Sequence, residues 1–336
     1  MGRGRILQVL VIMAFLCGCA GTYSLVEFEI LEPATIHFPD QVENLLVLNR
    51  APLSLDVFLE EDRKNMEMKH LRILDTAITN SITRGLLEVL SQSPIRQFRD
   101  PELISDRRSD TANLADLVLT KPEVEALCQR YGTDAIVSLE LYTMDLNEFY
   151  DIYNGSAEVL THYYEISNRM IWNIYLPDNP RPYDSYVTVD TLYFPSMVDG
   201  ILRYTPSVLD MIRELFNDSG MKYGKYLVPM WMNASRTLFQ GKDKSLRLAG
   251  KLTADGKWEE AFRLWSSLSG SADSTTAAKS LHNMAVYYEL EDHLDSASLL
   301  INRSLELDSL EITSDYREEM DVRLMNRREV IQQVER

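Results

Sequence analysis

The chain has 336 residues, 45% of them hydrophobic and 25% charged, an ordinary globular composition that excludes collagen-like, disordered and multi-span membrane classes. Roughly 100–200 residues per domain makes two domains the expectation. With 34 Lys and Arg against 51 Asp and Glu, the net charge of −17 repels phosphate backbones, so nucleic acid is excluded as an expected partner.

Residues 1–19 open on Met1-Gly2-Arg3-Gly4-Arg5, run through an apolar stretch from Ile6 to Leu16 and end on Cys17-Gly18-Cys19. A basic start followed by an apolar segment too short to span a bilayer marks a signal peptide, expected over 1–18. Leu16-Cys17-Gly18-Cys19 resembles the bacterial lipobox, whose cysteine receives diacylglycerol before signal peptidase II cuts. The resemblance implies lipidation at Cys19 and stable membrane anchoring through more than one acyl chain. Ala20-Gly21-Thr22-Tyr23-Ser24 carries no acidic residue. Among lipoproteins, including those of Bacteroidota, that lack implies the periplasmic face of the outer membrane rather than inner-membrane retention or surface export. Residues 19–43 read as anchor and linker. Cleavage and acylation leave Cys128 alone, so no disulfide is expected within one chain.

An α/β domain is expected over 44–240. Asn44 to Leu48 is a short apolar run suited to a strand covered on both faces. Leu71, Leu74, Ile78, Ile82, Leu86 and Val89 then recur every three or four residues, one apolar face of a helix that Pro94 closes. Ile95 to Phe98 suggests a short strand, and the polar stretch 99–118 a loop. Thr120-Lys121-Pro122-Glu123 carries a capping box with a first-turn proline, and Gly132 ends the helix it opens. Cys128 falls on that helix's apolar face and is expected in the core. Asp134 to Tyr142 reads as a strand parallel to 44–48.

Residues 159–176 and 184–194, rich in β-formers, read as antiparallel strands joined through Pro177 to Pro182. Thr205-Pro206 is expected to open a helix that stops at Asp218-Ser219-Gly220, with helix again up to Pro229. Gly220 and Gly224 suit close helix packing. Residues 230–239 fit strand or helix, with strand favoured. This order, with the segment "YGTDAIVSLEL" at 131–141, resembles the small α/β domain of periplasmic lipoproteins such as the curli-secretion lipoprotein and penicillin-binding-protein activators.

Residues 244–336 carry a repeat. Leu281, Met284, Ala285, Tyr288, Ala297, Ile301 and Ser304 have the residue classes and spacing of a tetratricopeptide repeat (TPR). A second copy runs Leu248, Ala249, Leu252, Gly256, Ala261, Trp265 and Leu268. Its small residues let paired helices cross closely. A helix from Ser314 to Val334, with Tyr316, Met320, Leu324, Ile331 and Val334 inward, is expected to cap the stack. The resemblance to TPR modules implies an inner groove that binds protein segments and is lined here by Asn283, Val286 and Glu289.

His37, His70, His162, His282 and His293 show no metal-ligand spacing, and no nucleophile, phosphate-loop or dinucleotide motif is present. No catalytic residue, metal or cofactor is expected. Tyr163, Tyr164, Trp172, Tyr175, Tyr183, Tyr186 and Tyr193 on the expected hairpin form either sheet packing or a surface for stacking sugars.

The fold expected is thus an α+β or α/β N-terminal domain, a mixed sheet with flanking helices, followed by an all-α TPR-like module. Anchor, α/β domain and short repeat together resemble a Bacteroidota lipoprotein family with a C-terminal TPR module, a domain of unknown function. The expected role is a non-enzymatic, protein-binding adaptor or scaffold of the cell envelope, lipid-anchored in the outer membrane. The alternative is a lipoprotein that binds or hydrolyses glycans.

Overall fold

The computed structural model describes residues 23–52, 68–107, 118–154, 158–198 and 201–334. The signal peptide and Cys19 lie outside them. The chain divides into two compact units, residues 33–230 with 332–336, and 1–32 with 231–331.

The first unit is built on a six-stranded mixed sheet in the order β3-β2-β4-β5-β6-β7. Its elements are β2 (Leu45–Asn49), α1 (Met68–Gln92), β3 (Glu102–Ser105), α2 (Lys121–Tyr131), β4 (Ala135–Asn154), β5 (Glu158–Tyr175), β6 (Asp184–Val198), β7 (Ile201–Leu202) and α3 (Val208–Leu227). β2 runs parallel to both β3 and β4, whereas β4, β5, β6 and β7 pair antiparallel. The apolar run of β2 is covered on both faces as its sequence requires. Leu45 and Val47 join the core beneath α1 and α3, while Leu46 and Leu48 pack with Val124 and Cys128 of α2.

α2 begins as expected, the Glu123 carboxylate accepting from the Thr120 N–H (2.7 Å) and hydroxyl (2.6 Å), and it ends on Gly132 in the left-handed region. Burial raises the thiol pKa of Cys128 above its ordinary value. Three local expectations are corrected. Residues 96–98 form a 3-10 turn rather than a strand, because Ser93 and Pro94 bend the chain there. Within the stretch read as a loop, Glu102–Ser105 is an edge strand, too short to show a period of its own and recruited by pairing with β2. α3 is capped by Ser207, not Thr205, and runs unbroken through Asp218-Ser219-Gly220.

α3 survives its glycine because the packing needs it. A Cβ on Gly220 would lie 2.2 Å from the Ile82 carbonyl oxygen of α1, and one on Gly85 only 2.0 Å from that of Asn217. The two backbones approach through these gaps, and a larger residue would overpack them.

The second unit pairs a two-stranded sheet with helices. β1 (Tyr23–Glu32) and β8 (Met230–Phe239) form the sheet, and α4 (Lys244–Ala254), α5 (Trp258–Leu268), α6 (Ser274–Leu290), α7 (Leu294–Leu307) and α8 (Glu311–Val334) the helical part. Residues 23–32, expected within the linker, are therefore a strand, and β8 belongs with the helices rather than with the six-stranded sheet. The cause is the inner face of α6, on which β8 makes the hydrogen bonds described below. The expected packing positions Ala249, Ala261, Trp265, Leu281, Ala285, Ala297 and Ile301 are buried together with Tyr316 and Met320. Gly256 takes a positive φ of 75° in the turn between α4 and α5. Ile331 and Val334 are exposed instead of inward, and Val330 is buried in their place.

Candidate functional site

The three residues expected to line an open groove are closed off. Asn283, Val286 and Glu289 lie on one face of α6 and are 0%, 0% and 3% exposed. The Asn283 amide oxygen accepts from the Phe239 N–H (2.8 Å) and its NH2 donates to the Phe239 carbonyl (2.7 Å), so the side chain acts as a neighbouring strand to β8. Glu289 receives a two-pronged ion pair from Arg236 of β8 and a hydrogen bond from the Tyr316 hydroxyl (2.8 Å). Burial and then the Glu289 charge raise the Tyr316 hydroxyl pKa well above its ordinary value. His282 on the same helix donates from Nε2 to the Thr237 carbonyl (2.8 Å) and accepts at Nδ1 from Thr313 (3.0 Å). The spacing of these positions puts them on one face of α6, and the chain's own strand fills that face.

In the α/β unit, polar groups gather where the parallel strands end. β2 leads to α1 on one face of the sheet and β3 leads to α2 on the other, so the chain diverges at their carboxyl ends, the place where open α/β sheets form a crevice. Asp75 of α1 sits there. It accepts a hydrogen bond from the Tyr142 hydroxyl and pairs with Arg107 at 2.5 Å. Burial, then the Asp75 charge, raise the Tyr142 pKa far above a free tyrosine's.

Toward the opposite face, Arg50 pairs with the fully buried Glu140 (3.2 Å), which also accepts from Tyr175 (2.8 Å). The Tyr175 hydroxyl in turn accepts from the Leu119 N–H and the Asn173 amide. Glu140 occupies a bulge in β4, where the register shifts between Leu139, which faces Trp172, and Leu141, which faces Ile171. The bulge reverses the alternation, so Val137 and Leu139 before it and Tyr142 and Met144 after it all reach the core beneath α1 and α3. Asp75, Arg107, Arg50 and Glu140 were not singled out from the sequence, and Tyr175 was named there only among the hairpin aromatics. The available signal was the single charged residue inside the mostly apolar 135–142 stretch, which a strand covered on both faces does not carry without a partner.

The hairpin aromatics divide between core and surface. Trp172 and Tyr186 stack internally on Tyr223 and Tyr226 of α3, with ring centroids 4.2 Å apart for Trp172 and Tyr223 and 4.1 Å for Tyr186 and Tyr226. Tyr163 instead stacks on Phe149 at 5.3 Å and meets Tyr193 edge-on at 6.0 Å. Cross-strand register places these three on one sheet face with Ile171, Val187 and Val189. Val187, Val189 and Tyr193 are 49%, 68% and 60% exposed. No group of three or more His, Cys, Asp or Glu that could hold a metal occurs among the described residues, and no described helix is long and apolar enough to cross a membrane.

The fold thus defines a two-module chain, a mixed α/β sheet domain followed by an all-helical region. Residues 42–239, more than half of the chain, match the family model described as Domain of unknown function (DUF8603), and the chain belongs to that family. Residues 247–323 match a second model, Domain of unknown function (DUF6340). No curated protein matches the chain. Among solved structures, a neuraminyllactose-binding hemagglutinin homolog from Helicobacter pylori is similar at 12% identity, over 57% of this chain and 90% of its own, with a TM-score of 0.31. At that score the likeness decides neither fold nor function.

Proposed function

We propose that the protein is a lipid-anchored, non-enzymatic adaptor of the cell envelope, held at the periplasmic face of the outer membrane through Cys19, and that it binds a protein partner on the open face of the β4–β6 sheet. The supporting observation is that Val187, Val189, Tyr193 and Phe149 are exposed on one sheet face, beside the half-buried Tyr163 and interleaved with Arg169, Thr191 and Glu165. Exposed aliphatic and aromatic side chains set among polar ones on a flat sheet face have the composition of a protein-binding surface. The helical region is read as a TPR module whose groove is occupied by β8, so partner capture is assigned to the sheet.

In-cell photocrosslinking tests this reading. A photoreactive residue at Val189 should yield a discrete crosslinked protein, and one at Leu299, exposed on α7, should not. Val187→Glu together with Val189→Glu should abolish recovery of that partner without lowering the melting temperature. Crosslinks absent from the sheet face, or recovery indifferent to the two glutamates, would overturn the assignment.

A further inference from the structure

The crevice at the carboxyl ends of β2 and β3 is a cavity of about 420 Å³, within the range of about 300–1,000 Å³ common to small-molecule sites. Its apolar part is Val47, Leu103 and Ile104. Around these stand neutral hydrogen-bonding groups: Asn49 and Ser105 at the strand ends, and Thr76, Thr79, Asn80 and Thr83 at i, i+3, i+4 and i+7 along α1. Thr76 and Thr79 donate their hydroxyl protons to carbonyls one turn back, Arg72 (2.7 Å) and Asp75 (2.9 Å), which leaves their lone pairs to accept. The Asn49 amide oxygen accepts from the Ala51 N–H, which leaves its NH2 to donate. Donors and acceptors are therefore both present. The two charges in the lining, Asp75 and Arg107, neutralise each other, and Tyr142 fixes the carboxylate from below.

We infer that this crevice binds a small, neutral, polyhydroxylated ligand, a mono- or disaccharide. A sugar ring has an apolar C–H face for Leu103 and its neighbours and hydroxyls that both donate and accept for the threonine and asparagine stripe. A charged ligand could pair with Arg107 or Asp75 only by drawing it from the other, and rupture of that pair would leave a half-buried charge unpaired. The site lies on the helix-covered side of the sheet and is independent of the protein-binding face proposed above.

The test is saturation-transfer NMR and calorimetry on the full-length protein with glucose, galactose, N-acetylglucosamine and their disaccharides, each set beside glucuronate and glucosamine as charged analogues. At least one neutral sugar should bind at millimolar concentration or below, in preference to both analogues. Thr79→Val with Asn80→Leu should weaken binding by about tenfold or more at an unchanged melting temperature. Ser105→Ala, at the other wall, should weaken it less. Binding of none of the neutral sugars, preference for a charged analogue, or affinity untouched by the α1 substitutions would overturn the inference.

Discussion

Arg236 and Glu289 form a buried, two-pronged ion pair, Nε to Oε2 at 2.8 Å and NH2 to Oε1 at 2.9 Å, between β8 and α6. Burial alone would lower the arginine's pKa, but the carboxylates of Glu289 and Glu319 hold it above its ordinary value. A residue type that would grip a foreign peptide in an open groove here grips the chain's own strand.

Truncation of one partner should therefore cost far more than a surface change. Glu289→Ala leaves Arg236 buried with only the half-exposed Glu319, and should destabilise by about 3 kcal/mol in denaturant unfolding. The double variant Arg236→Met, Glu289→Leu should recover most of that loss. A Glu289→Ala effect under about half a kcal/mol would mean that β8 does not pack on α6.

Close contact of α1 and α3 makes Gly85 and Gly220 sensitive to a single methyl. Each of Gly85→Ala and Gly220→Ala should cost about 1–3 kcal/mol or more, since the obstruction is backbone and cannot rotate away. Gly270→Ala, with nothing within 4 Å of the new Cβ, is the control and should be near neutral. Thermal melts of the three variants decide it.

His282 supplies an acid-sensitive element. Burial holds its pKa at about 4, below the ordinary 6.5, so it folds neutral. Below pH 6.5 the unfolded chain takes up a proton that the folded chain refuses until about pH 4, and stability falls across that window by up to roughly 3 kcal/mol. Above pH 6.5 the contribution is fully present. His282→Gln should flatten the pH dependence of unfolding between 6.5 and 4, whatever its stability at neutral pH.

The lipobox resemblance is tested by fractionation. Cys19→Ser should shift the protein from membranes to the soluble fraction and abolish incorporation of labelled palmitate. An unlabelled, freely soluble wild type would end the lipoprotein reading.

Elements whose signals are local were legible in advance. The capping box at Thr120 and Glu123, the apolar stripe of α1 and the small residues Ala285 and Ala297 each carry their structural reason within a few positions. β1 and β3 were not legible, since a strand of modest polarity is stabilised by a neighbour distant in sequence. Nor was the crevice: Asp75, Arg107 and Tyr142 are far apart in sequence, and the bulge at Glu140 that turns Tyr142 toward Asp75 leaves no periodic mark.

What the sequence alone determined is the bounds of α2, the apolar stripe of α1 and the packing positions of the helical region, and the alternation of strands and helices that sets a mixed sheet before a helical module. These follow from steric, capping and hydrophobic preferences acting over one or two turns. The tertiary structure decided which surfaces remain open. Asn283, Val286 and Glu289 have the pattern of an available groove, yet β8 covers them. Val187, Val189 and Tyr193 have the pattern of sheet packing, yet they face solvent. Burial depends on what another part of the chain places opposite a residue, and periodicity records only which residues share a face.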